Sequence, residues 1–367
     1  MAKGLNGRVR DLVLLFAVVL RGLLFCTTRC ATAPAMFIFG DSLIDSGNNN
    51  YIASVARANY YPYGIDFIGP TGRFCNGLTV TDYAAKYLGL PFPPPYLSVR
   101  SGAAMIMGGV NYGSAAAGIL DETGNNYGSR ISLNEQIELF GKTVEMQLTT
   151  LLTDPEALSG YLSSSLFIVI IGSNDYINNY LLPEFYSTSR IYSGEDFARL
   201  LVDNLSQQLM KMYNMGARKM LLVGIGPLGC IPNQLAMNPN ATGCVEAVND
   251  LVRPFNQNLK QAMLKLNSTL PGSFFVFHNI YDTFIDMVQN SSKYGFMVTN
   301  QACCGHGRYG GQLSCLPMER PCSNRDQYLF WDSFHPTQAA NAIISNGCFG
   351  ATATDCFPIT GDQLAEI

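Results

Sequence analysis

The chain has 367 residues, 48% of them apolar and 14% charged. That is enough apolar material for a sizeable core, and it excludes an intrinsically disordered chain. The formal net charge of −4, with no cluster of lysines or arginines along the mature sequence, excludes a nucleic-acid surface and disfavours attraction to anionic membranes.

Lys3, Arg8 and Arg10 precede an apolar run over residues 12–20, which Arg21 interrupts and residues 22–25 resume. A basic start before a short apolar core predicts a secretory signal peptide over residues 1–33. The run is too short and too charged for a comfortable bilayer span, and an uncleaved signal anchor is the alternative. Removing residues 1–33 takes away Lys3, Arg8, Arg10, Arg21, Arg29 and Asp11, and leaves a net charge of −8. Residues 34–367 are expected to form one domain. Asn204, Asn240, Asn267 and Asn290 each open an Asn-X-Ser/Thr sequon, which in an exported chain is a glycan acceptor where it is exposed.

Apolar runs at residues 35–39, 105–112, 166–171, 219–223 and 274–277 suit strands buried on both faces. Helical periodicity fills the intervals at residues 82–88, 134–152, 196–215, 245–266 and 281–288. Strand and helix in alternation predict a parallel sheet with helices on both sides and right-handed crossovers. In such folds the polar residues of consequence gather beyond the carboxyl ends of the strands. Ser42, Asn174 and the small residues after Asn111 stand there.

Nine cysteines follow the leader: Cys75, Cys230, Cys244, Cys303, Cys304, Cys315, Cys322, Cys348 and Cys356. An oxidising compartment would pair most of them. Cys230 with Cys244 and Cys348 with Cys356 are plausible local pairs by spacing. Zinc is the competing reading, but there is no C-x-x-C pair and adjacent Cys303 and Cys304 suit a metal cage poorly. No metal site is expected.

A serine hydroxyl is a poor nucleophile until a base takes its proton, and the base needs a third group to hold its tautomer. Of three histidines, His278, His306 and His335, the last alone has a carboxylate at short spacing, in Asp332-Ser333-Phe334-His335-Pro336. Pro336 suits the first position of a helix, which would leave Asp332 to His335 in the turn before it. By itself D-x-x-H also fits a surface histidine. Ser42 follows a buried strand in Gly40-Asp41-Ser42, and a helix N-cap is its plainer reading. Asn174 follows another strand in Gly172-Ser173-Asn174-Asp175; its amide can donate to a developing oxyanion or form an Asx-turn. Asp41 and Asp45 are expected to brace the turn around Ser42, and Asp175 the loop around Asn174. His278 and His306 are read as structural and exposed, respectively. The chain has no G-x-S-x-G elbow.

The stretch from Phe39 to Asn50 resembles the first block of the plant GDSL esterase/lipases, a branch of the SGNH hydrolases. Later stretches resemble later blocks in the same order: Gly109-Val-Asn-Tyr-Gly-Ser-Ala-Ala-Ala-Gly, Gly172-Ser-Asn-Asp-Tyr, Gly226-Pro-Leu-Gly-Cys, Ala302-Cys-Cys-Gly and Asp332-Ser-Phe-His-Pro. The resemblance implies a three-layer α/β/α flavodoxin-like fold with a central parallel sheet. It implies Ser42 as nucleophile, His335 as base and Asp332 as its orienter, with no cofactor. It also implies an oxyanion hole made by the Ser42 N–H, the Asn174 side chain and a backbone N–H from the second block. That last donor falls at Ala116 or Gly118, and Ala116 can serve if its φ is ordinary. Cys75 stands where relatives carry serine and is the candidate unpaired thiol. The implied partner is an acyl ester, whether lipid, cutin-like polyester or acetylated polysaccharide, acted on by a secreted monomer. A silent binder of acylated glycans or lipids, and an acyltransferase on the same scaffold, are the alternatives.

Overall fold

A computed structural model describes residues 32–99 and 106–367; the predicted leader, up to residue 31, lies outside the described residues. Strands β1 (Met36–Gly40), β2 (Leu166–Ile170), β3 (Lys219–Val223) and β4 (Phe274–His278) lie side by side in chain order, all parallel. Every residue of these strands except Phe274 is buried. Both faces are covered, so the runs read as continuous apolar stretches with no alternation. A short strand β5 (Cys356–Phe357) pairs antiparallel with β4, so the edge of the sheet departs from the all-parallel expectation.

The run at residues 105–112 does not make the ladder its composition suggested. From Ile106 onward it lies along the free edge of β1, where Met36 N–H donates to Gly108 O (3.1 Å), Ile38 N–H to Val110 O (3.0 Å) and Tyr112 N–H to Ile38 O (2.8 Å). Among its described residues the strand-type pairing is at Asn111 alone, with Ile38 and Pro95. Gly109 adopts φ 103°, and a β-carbon there would stand 1.9 Å from Met36 O; the close approach replaces regular pleating. Counting this segment, the spatial order is the 2-1-3-4-5 of a doubly wound sheet.

Helices α1 (Val80–Leu88), α2 (Leu133–Thr143), α3 (Pro155–Ser164), α4 (Gly194–Asn214), α5 (Glu246–Thr269), α6 (Ile280–Gln289), α7 (Gln338–Phe349) and α8 (Gly361–Glu366) complete the layers. One layer has α4 packed on α2 and α5; in the other α1, α6 and α8 gather around α7. Sequence chemistry sets the helix starts. Thr79 with Asp82, and Ser132 with Glu135, form reciprocal capping boxes. The helix expected over residues 134–152 keeps α geometry only to Thr143, then widens into a π turn at Val144–Leu148. One core cluster runs from Ala33 through the sheet to Leu364 and Ala365, so the C-terminal tail, unreadable in sequence, is built into it.

Gly40 ends β1 where the chain turns toward Ser42. A β-carbon there would lie 1.9 Å from Ile170 O, with no flexible side chain to yield. Gly40→Ala is therefore expected to destabilise by about 3 kcal/mol or more, read as a lowered midpoint in denaturant. Gly160→Ala, in α3 with open space around it, is expected to leave stability unchanged or raise it by up to about 1 kcal/mol.

Candidate active site

The turn after β1 is held by its own carboxylates. Asp41 N–H donates to Ile170 O (3.2 Å), and Asp41 O accepts from Ile44 N–H and Asp45 N–H. Asp41 Oδ1 accepts from Leu43 N–H (3.0 Å), and Asp45 Oδ1 from Gly47 and Asn48 N–H (2.7 Å each). Ser42 rides on this turn and starts no helix, so it caps nothing.

His335 arrives from the far end of the chain. Trp331 N–H donates to His335 O (2.8 Å) and Phe330 bridges Pro336, which closes a tight loop over Asp332, Ser333 and Phe334. Asp332 Oδ1 accepts from Phe334 and His335 N–H, both at 2.9 Å. Helix α7 begins at Gln338 with Thr337 as its N-cap, so Pro336 is not the first helical residue. Its fixed φ serves the extended bridge to Phe330 instead. The loop sets His335 Nδ1 at 2.8 and 2.9 Å from the two Asp332 oxygens, and Nε2 at 2.7 Å from Ser42 Oγ. Burial would raise the Asp332 carboxyl, but His335, Tyr63 and the Phe334 N–H outweigh it and hold it below the ordinary range.

Asn174 sits in the turn after β2. Its Nδ2 donates to Ala117 O (2.9 Å), and its Oδ1 accepts from Asn178 Nδ2 (2.6 Å). These two bonds fix the amide orientation and leave one amide hydrogen free. Asp175 is turned the other way, accepting from Ile119 N–H (2.8 Å), Leu120 N–H (3.1 Å) and the Thr123 hydroxyl (2.7 Å); it braces the small-residue loop. In that loop Ala116 takes φ 65°, so the ordinary φ allowed for it is not what it has. An alanine held there costs on the order of 1 kcal/mol. Ala116 lines the cleft beside Ser42, His335 and Asn174. Gly118 does not; a β-carbon on it would meet Thr123 and Asp175. Among the described residues no acceptor takes the N–H of Ser42 or of Ala116. The cleft has a volume of about 190 Å³, and Leu228, Ile231, Ile280, Phe284, Phe330 and Phe334 supply much of its apolar wall.

Sequence reasoning passed over Tyr63. Its hydroxyl donates to Asp332 Oδ2 at 2.6 Å, and its buried ring packs edge-on against Tyr60, Phe74 and Trp331. Phe74 in turn lies 5.0 Å from the His335 ring. The only trace of this in sequence is the aromatic run Tyr60-Tyr61-Pro62-Tyr63.

The other candidates lie apart from the cleft. His278 is buried at the end of β4, where burial pushes it down to about 3; His306 is exposed and lies 3.1 Å from Glu319. Disulfides join Cys230 to Cys244 and Cys348 to Cys356, as spacing suggested, and also Cys303 to Cys322 and Cys304 to Cys315. Among the described residues Cys75 is the free cysteine, buried, its thiol pushed up to about 12 by desolvation. Of the sequon asparagines, Asn240 and Asn290 are exposed. Asn204 bonds back to Leu200 O (2.8 Å), and Asn267 holds both main-chain groups of Phe275.

Burial pushes the Asp41 carboxyl up to about 7, so between pH 4 and 7 it is protonated in the folded chain and ionised in the unfolded one. Folding then takes up a proton, and stability falls as pH rises through that window. Asp41→Asn is expected to flatten this slope, measured by denaturant unfolding from pH 4 to 8. Asp45 and Asp175, each pushed by burial up to about 6, leave a shallower slope of the same sign. His278 contributes the opposite sign below pH 6.5.

Residues 36–347 match the family model described as GDSL-like Lipase/Acylhydrolase. The chain is 58% identical over 337 residues to GDSL esterase/lipase 7 of Arabidopsis thaliana, covering 91% of this chain and 93% of that protein. Two further Arabidopsis thaliana proteins named GDSL esterase/lipase are 46% and 47% identical. They cover 98% and 92% of this chain and 96% and 89% of their own lengths. A serine, a histidine and an aspartate meeting at the carboxyl edge of a doubly wound sheet, together with a match over nearly the whole described chain, place this protein in the GDSL-like lipase/acylhydrolase family.

Proposed function

We propose that the protein is a secreted carboxylic ester hydrolase that works through an acyl-enzyme on Ser42. The observation that carries this reading is the unbroken line from Ser42 Oγ through the His335 imidazole to the Asp332 carboxylate, open to an apolar cleft. Asp332, accepting at Nδ1, keeps that nitrogen protonated and leaves Nε2 to take the Ser42 proton. The hydroxyl oxygen attacks the ester carbonyl, and the imidazolium then gives its proton to the leaving alcohol. Water repeats the sequence on the acyl-enzyme and frees the acid. Three donors stand ready for the oxyanion: the Ser42 N–H, the Ala116 N–H and the free Asn174 amide hydrogen. Their fixed orientation means no reorganisation as charge develops. Of the two positions considered in the second block, Ala116 is our choice because it faces the cleft.

The apolar wall supports an acyl group as the recognised part of the substrate. Four disulfides support folding in an oxidising compartment. Asn240 and Asn290 are the sequon positions with exposed side chains, and we assign glycans to them.

Ser42→Ala is expected to lower kcat for p-nitrophenyl esters by at least about 10³-fold with an unchanged melting temperature; retention of full ester hydrolysis would end the assignment. Asn174→Ala should cost about 10²–10³ in kcat. Tyr63→Phe removes one donor from Asp332 and strengthens the negative field at the imidazole. The acid limb of kcat/KM should therefore move to higher pH, with kcat reduced several-fold and KM little altered. A Tyr63 hydroxyl that only supports packing would lower stability and leave the limb in place.

A further inference from the structure

Arg57 lines the wall of the cleft that holds Ser42 Oγ, and among the described lining residues it is the one lysine or arginine. Its guanidinium donates to Ile52 O. Its Nε is buried and has no hydrogen-bond partner, and among the described residues no carboxylate pairs with it. Some other arginines are held by carboxylates, whereas Arg130 and Arg218, like Arg57, give their hydrogen bonds to main-chain carbonyls alone. Arg73 is gripped by both oxygens of Asp82 (2.7 and 2.8 Å), and Arg325 by both oxygens of Asp66 (2.6 Å each). Neither carboxylate lining the cleft, Asp41 nor Asp332, pairs with Arg57. Asp332 is taken up by His335, Tyr63 and two N–H groups. Asp41 holds the turn and is pushed up by burial to about 7.

A guanidinium without a carboxylate partner, set in a cleft whose wall is largely apolar, is matched to an oxyanion as guest. The chain carries net negative charge, so an anion gains nothing from the molecule at large and must be held locally. We infer that Arg57 is a specificity-determining residue: it binds an anionic group, carboxylate or phosphate, carried by the ester that Ser42 attacks. On this reading the preferred substrates are charged acyl esters, with the apolar wall taking the hydrocarbon part. The inference rests on the function proposed above and adds a substrate class to it.

The test compares two matched pairs of esters. One pair is the mono-4-nitrophenyl ester of glutaric acid, with a free carboxylate, against its methyl-capped analogue. The other is a monoacylglycerol phosphate against the uncharged monoacylglycerol. For the wild type, kcat/KM for the charged member should exceed that for the neutral one by about tenfold in at least one pair, and which pair shows it tells carboxylate from phosphate. Arg57→Gln should bring that ratio to about one, and Arg57→Lys should restore part of it. The ratio is taken within each protein, so a lowered yield of folded variant cancels. Equal ratios in wild type and Arg57→Gln would overturn the inference. Equilibrium binding of the same pairs to Ser42→Ala protein separates the two claims. Tighter binding of the charged ester that Arg57→Gln abolishes supports the anion site even if Ser42 proves not to be the nucleophile. No difference in binding counts against the site even where hydrolysis proceeds.

Discussion

Ser42 and His335 are 293 positions apart in sequence, and 2.7 Å separates Oγ from Nε2. In the mechanism we propose neither group acts alone at neutral pH, since the hydroxyl needs a base and the base needs a fixed tautomer. The fold therefore has to bring the end of its first strand and the loop before α7 to one edge and hold both against thermal motion. It does so with short, local hydrogen bonds. Asp41 and Asp45 hold the serine turn, and Asp332 holds its own loop before it touches the imidazole. The helical layers behind the sheet keep the two loops in register.

The site is built from buried carboxylates put to two uses. Asp41, Asp45 and Asp175 accept backbone N–H groups yet stay raised by burial. They shape loops, and burial disfavours their charged form. Asp332 is equally buried and lowered, because the imidazole and the Tyr63 hydroxyl answer its charge. Four aspartates close together thus divide between scaffolding and steering by what surrounds each one.

Much of this architecture was legible in the sequence because two-sided burial leaves an unmistakable trace. The runs at Met36–Gly40, Leu166–Ile170, Lys219–Val223 and Phe274–His278 are apolar but for Lys219 and His278 at their ends, and Ser42 and Asn174 follow two of them within four residues. Asp332 and His335 were legible because one turn holds both. What escaped notice depended on long-range contact. Tyr63 reaches Asp332 across 269 positions, and no local pattern marks a tyrosine for that work. Residues 105–112 have strand composition, but a glycine pressed against Met36 O breaks the ladder. Pro336 had the right chemistry for a helix start and was claimed by an extended bridge two residues earlier. Ala116 adopts a backbone conformation that its side chain does not advertise.

The most direct test of the central claim is covalent labelling by an alkyl fluorophosphonate, followed by mass mapping of the adduct. The account predicts one equivalent on Ser42, loss of ester hydrolysis in proportion to labelling, and labelling slowed by at least about 10³-fold in His335→Ala. An adduct on another residue, or ester turnover that persists once Ser42 is fully modified, would contradict it.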